Sequence, residues 1–102
     1  MKLSESPDGF GSIRTLERRQ LVVDWHGHGT LFYRMSKDEL KKVLAGARKT
    51  TVKQVQVSIY DKEIVETVSF PVTRPNKGLE IGCEVFTAED VRKMKQWVKE
   101  GK

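Results

Sequence analysis

Residues 51–72 read TVKQVQVSIYDKEIVETVSFPV, and their alternation decides the fold class. Val55, Val57 and Ile59 alternate with Gln54, Gln56, Ser58 and Tyr60, the period of two that a strand with one buried face requires. Asp61-Lys62 supplies a turn, after which Ile64, Val68, Phe70 and Val72 share one phase of a return strand. Glu66 interrupts that face, while Val65, Thr67 and Ser69 take the other. The loop TRPNKG at 73–78 follows, where Pro75 opposes helix and Asn76 and Gly78 permit turns. Leu79, Ile81, Cys83 and Val85 then alternate with Glu80, Gly82 and Glu84, a third strand of a meander with Cys83 on its buried phase.

Upstream of this meander, Ser36 opens a helix. Ser36 and Glu39 have capping-box spacing, Met35 and Leu40 can form the hydrophobic staple, and Leu40, Val43, Leu44 and Ala47 make one apolar stripe. Downstream, Thr87 with Asp90 repeats the box, Phe86 and Val91 the staple, and Val91, Met94, Trp97 and Val98 the stripe. The two helix starts match at an offset of 51 residues. The strands leading into them differ in phase, so shared capping chemistry explains the match as well as duplication does. Before the first helix, residues 12–25 read as one strand broken by a turn or bulge near Glu17 to Gln20, His26-Gly27-His28-Gly29 as a tight connection, and residues 30–35 as a second strand.

The expected fold is therefore α+β: an antiparallel sheet of about five strands with two helices packed on one face, in the order β-β-α-β-β-β-α. At 102 residues the chain has room for one core. Residues 1–11 read as a flexible arm and 12–102 as a single domain. No apolar run approaches the roughly 20 residues of a membrane span, and no secretory h-region is visible. Cys83 is the only cysteine, which excludes an internal disulfide and suits a reducing cytoplasmic setting.

Little in the sequence points to catalysis. His26 and His28 have a metal-ligand spacing, but nothing nearby completes a tetrahedral set, and no metal or cofactor is expected. No phosphate-loop string occurs. No nucleophile stands beside a general base, so the chain reads as non-enzymatic.

Charge is more informative. The chain carries a formal net charge of +5. Residues 36–62 hold seven basic and three acidic side chains, and residues 63–102 hold seven of each. Lys41, Lys42, Arg48, Lys49 and Lys53 carry most of the excess, and Arg14, Arg18 and Arg19 form a second cluster. Concentrated basic charge is what phosphate backbones select; a solvated helix face is the plainer explanation. Gln54, Gln56, Ser58, Val65, Thr67 and Ser69 read as one largely neutral sheet face, with Tyr60 as a stacking platform. Two functions follow. One is a small DNA- or RNA-binding protein using the basic middle segment. The other is a protein-binding module or inhibitor, docking through the neutral face or the helices, with homodimerisation through that face or an edge. On this phase a charge at Val57 or Ile81 is incompatible with the core, and Val57→Asp and Ile81→Asp should each lose a cooperative thermal melt.

Overall fold

The computed structural model describes residues 2–3, 13–25, 31–57, 60 and 62–100. The His26–Gly29 connection, Ser58, Ile59 and Asp61 lie outside them, as does most of the segment read as an arm. Seven strands are present rather than five. They are β1 (Ile13–Glu17), β2 (Gln20–Trp25), β3 (Leu31–Ser36), β4 (Lys49–Val57), β5 (Glu63–Thr73), β6 (Leu79–Ile81) and β7 (Glu84–Phe86). Helix α1 (Lys37–Leu44) follows β3 and α2 (Ala88–Lys99) follows β7. Every strand pairs antiparallel with its neighbour in sequence, giving the order β1-β2-β3-β4-β5-β6-β7 in a sheet curled into a half-barrel.

Two of the expected strands are hairpins. Of the turn or bulge expected near Glu17 to Gln20, the turn forms: Glu17 pairs with Gln20 across two residues, with Arg18 at φ 57, a left-handed position where a residue other than glycine leaves the hairpin unannounced. Ile81 pairs with Glu84, and Gly82 at φ 63 turns the chain between them. That turn resets the phase. Glu84 and Phe86 are buried, Val85 is half-buried, and Cys83 is exposed on the turn rather than inside.

The β4–β5 register brings a further correction. A two-residue turn at Asp61-Lys62 would put Val55 and Val57 on the side of Ile64 and Val68. Instead residues 58–62 connect the strands, so that Val57 pairs with Glu63, Val55 with Val65 and Gln54 with Glu66. An even rather than odd register sum exchanges the faces. Gln54 and Gln56 therefore share the inner face with Ile64, Glu66 and Val68, whereas Val65, Thr67 and Ser69 lie on the outer face with Lys53 and Val55. The expected neutral face is divided between the two sides. Val55 is still buried, among its outer-face neighbours Phe32 and Val65.

The inner face carries the core. Leu16, Leu21, Val23, Tyr33, Met35, Val52, Val72, Leu79, Ile81 and Phe86 pack against Leu40 and Val43 of α1 and Val91, Met94 and Trp97 of α2. Leu44, Val68, Phe70 and Val98, also expected there, pack at its margin. Leu3, from the segment read as an arm, is buried with them, and Lys2 bridges to Thr15. Desolvation of its hydroxyl holds Tyr33 well above the usual phenol pKa. Val57, half-buried on the outer face, loses its place in the core; Ile81 is fully buried.

The helix caps form as the sequence requires, with one exception. Thr87 and Asp90 close a reciprocal box at α2. At α1 the Glu39 N–H donates to Ser36 Oγ at 3.1 Å, but the Glu39 carboxylate turns to β4. Arg74 donates to the Val43 and Ala47 carbonyls, satisfying the end of α1 from the end of β5.

One charged group sits at the centre of this core. Arg14 on β1 is 1% exposed. Its Nη1 lies 3.9 Å from Glu84 Oε2 and its Nη2 3.6 Å from Asp90 Oδ2. It donates to the Val85 carbonyl, and its guanidinium stands 4.6 Å from the centre of the Phe86 ring. Arg14→Ala strands two buried carboxylates. We expect a loss of about 3–5 kcal/mol, a large part of the stability of a small domain, read as a drop in the urea midpoint with unchanged m-value.

Candidate nucleic-acid interface

The strands β3 and β4 separate midway and leave a groove between them. Arg34 and Lys53 are the last pair of the β3–β4 ladder. Beyond them β3 continues only along β2, with Ser36 opposite Gln20, and then enters α1. The first residues of β4, Lys49–Val52, pair only with β5. Glu39 spans the fork: its Oε1 accepts from the Thr51 N–H at 3.1 Å and the Thr50 hydroxyl at 3.3 Å. A side chain thus supplies the acceptor that a neighbouring strand would otherwise provide.

The resulting groove has a volume of about 430 Å³. Arg19, Arg34 and Lys53 line it, with the polar side chains of Gln20, Ser36, Thr51 and Thr67 between them. The Lys37 N–H donates to the Arg19 carbonyl at 2.8 Å, docking the β1–β2 turn against the start of α1. Lys42 stands at the rim, its Nζ 3.8 Å from Glu39 Oε2. Arg19, Arg34 and Lys53 form no ion pair among the described residues. Arg34 Nε is buried without a hydrogen-bond partner there, and its guanidinium lies 5.7 Å from the centre of the Phe32 ring.

This arrangement carries a cost. Like charges directly opposite on neighbouring strands destabilise a sheet, and Arg34 and Lys53 are such a pair. The acid in the groove, Glu39, is already engaged by Thr50, Thr51 and Lys42. On the other side of Arg34 a shallower hollow of about 290 Å³ contains Glu17 and Asp24, so an acidic margin bounds the basic groove.

The basic residues singled out from sequence do not all meet here. Lys53 and Arg19 line the groove and Lys42 borders it. Lys41 is exposed one residue along α1, and Arg48 and Lys49 are exposed at the start of β4. Arg18 is exposed on the β1–β2 turn. Tyr60, 79% exposed, lies beyond Val57 at the opposite end of β4. Arg14 is withdrawn from the surface altogether by its buried ion pairs. Arg34 is the member that sequence reasoning missed. Its signal was its place on the polar phase of β3, between the inward Tyr33 and Met35.

The described residues hold no cluster of three His, Cys, Asp or Glu side chains suited to a metal ion. No helix among them is long and apolar enough to cross a membrane. Comparison with protein-family models, with curated proteins and with solved structures finds no match for this chain.

If the Arg34–Lys53 pair is held together against its own repulsion, relieving it should stabilise the free protein. Lys53→Gln is expected to add about 0.2–1 kcal/mol at low ionic strength, an effect that shrinks as salt screens the pair. Thermal melts of both proteins over a salt series measure it.

Proposed function

We propose that this protein is a small non-catalytic module that binds nucleic acid by its phosphates, DNA or RNA, through the groove at the β3–β4 fork. The observation that carries this reading is the cross-strand pair Arg34–Lys53, facing a groove with Arg19 and without a free counter-acid among the described residues. A phosphate seated between the two cations converts their repulsion into two charge-assisted contacts. Ser36, Thr51 and Gln20 offer the neutral donors that commonly complete backbone contacts. Lys41, Lys42, Lys49 and Arg48 extend the positive field around the groove, which raises encounter rates with a polyanion. Exposed Cys83 fits a reducing compartment, and the cytoplasm is the proposed location.

Titration of labelled single- and double-stranded oligonucleotides over a salt series tests the proposal. Binding should weaken linearly in log–log form, and Arg34→Gln with Lys53→Gln should lower the salt slope by about two. Lys95→Gln with Lys99→Gln, on the exposed side of α2, should leave affinity within about twofold, as distant surface charges do. Undetectable binding, or a double variant at the fork that binds like the wild type, overturns it.

A further inference from the structure

β5 is the longest strand, and most of its outer edge is open among the described residues. It pairs with β4 along Glu63–Pro71, but β6 meets it only at Val72 and Thr73. Backbone groups of a strand point alternately to its two sides. The Gly82 N–H donates to the Pro71 carbonyl across the β6 side, whereas the Val72 N–H donates to Arg48 on the β4 side. The odd-numbered residues therefore direct their N–H and C=O groups outward. Glu63, Val65, Thr67 and Ser69 present a row of backbone donors and acceptors with no strand beside them. Pro71 belongs to the same outward set, which accounts for a proline in a strand: its missing N–H is not needed by β4. The flanking surface is apolar for an edge, since Ile64 and Val65 are 52% and 48% exposed.

We propose that this edge pairs with the same edge of a second copy of the chain, antiparallel about a twofold axis at Thr67. An open edge of this length is a template for another strand, and its own sequence favours this register. Centred on Thr67, the pairing places Ile64 opposite Phe70 of the second copy, Val65 opposite Ser69 and Thr67 opposite itself. The outward groups of Val65, Thr67 and Ser69 then close six backbone hydrogen bonds, and the ladder stops at Pro71. A register centred on Glu66 would close more bonds but sets Glu66 against Glu66, a like-charge pair at the closest cross-strand spacing. Glu66, anomalous on the apolar phase of its strand, thus selects the register. Thr67 also lines the basic groove, one strand from Lys53. The dimer sets two grooves side by side on one continuous outer face. Lys53 and its twofold mate stand three strand spacings apart, about 14 Å, so one polyanion spans both.

Sedimentation equilibrium of the full chain over a wide concentration series reads the dimer directly, without nucleic acid. Thr67→Pro removes an outward donor that β4 does not use; it should melt near the wild-type temperature and weaken the dimer by about tenfold or more. Thr67→Cys in a Cys83→Ser background should cross-link rapidly under mild oxidation, because directly paired residues stand about 5.5 Å apart. Glu66→Cys in the same background should cross-link far more slowly. A wild-type chain that stays monomeric throughout overturns the proposal, as does a dimer that Thr67→Pro leaves intact. Should Thr67→Pro fail to fold, the relative cross-linking of the two cysteine variants decides. Faster linkage through position 67 supports the register, and equal or reversed rates reject it. Dimerisation and oligonucleotide binding are separate readouts, so either can fail alone.

Discussion

The buried guanidinium of Arg14 is the constraint around which the molecule is arranged. In a flat meander the first and seventh strands would stand six strand spacings apart, about 28 Å. Yet Arg14 on β1 lies within 4 Å of Glu84 on β7 and of Asp90 on α2. The sheet satisfies this only by curling, and the curl creates the enclosed inner face where both helices pack. A buried cation is expensive unless charge and hydrogen bonds surround it. Two carboxylates, the Val85 carbonyl and the Phe86 ring supply those partners from one short stretch of chain. Asp90 also closes the capping box of α2, so the same carboxylate fixes where that helix begins and where β1 sits.

Much of the architecture is legible in the sequence because it rests on local rules. The start of each helix followed from its cap residue and staple, and alternation placed Leu21, Val23, Tyr33, Met35 and Val72 inside, while Ile64, on the same phase of β5, stays exposed. The failures occur where a turn lacks its usual residues. Arg18 occupies a backbone region in which glycine or asparagine would have distinguished a hairpin turn from a bulge. Gly82 was read as the polar phase of a strand when it was the turn itself, which placed Cys83 inside and Glu84 outside. The five-residue connection after Val57 changed register parity, and parity cannot be obtained from either strand alone. The carboxylate of Glu39 answered a demand from Thr51, twelve residues away, that its own helix cap did not reveal.

The basic site was legible in part for the same reason. Lys53, Lys42 and Arg19 belong to the charge excess that composition locates. Arg34 does not, because one arginine on a strand's polar phase is unremarkable until Lys53 is placed opposite it. Arg14 is the converse case. Its sequence neighbours made it part of a surface cluster, while its partners lie some seventy residues downstream. Charge counting finds where cations are abundant; only cross-strand pairing shows which are turned toward one another and which are neutralised inside.

Strand order identical to chain order has a consequence for how the molecule comes together. Each ladder forms between segments already adjacent along the chain, so the loops to be closed are short and their entropic penalties small. Contact patterns of this kind favour rapid folding. Hairpins can zip one after another without waiting for distant segments to find each other. The contacts of Arg14 are the exception, since its carboxylate partners lie some seventy residues further along the chain. Until they are in place, β1 carries a cation with nowhere to be buried, and a forming sheet has reason to stay open. Closure of the half-barrel is then coupled to the arrival of β7 and α2.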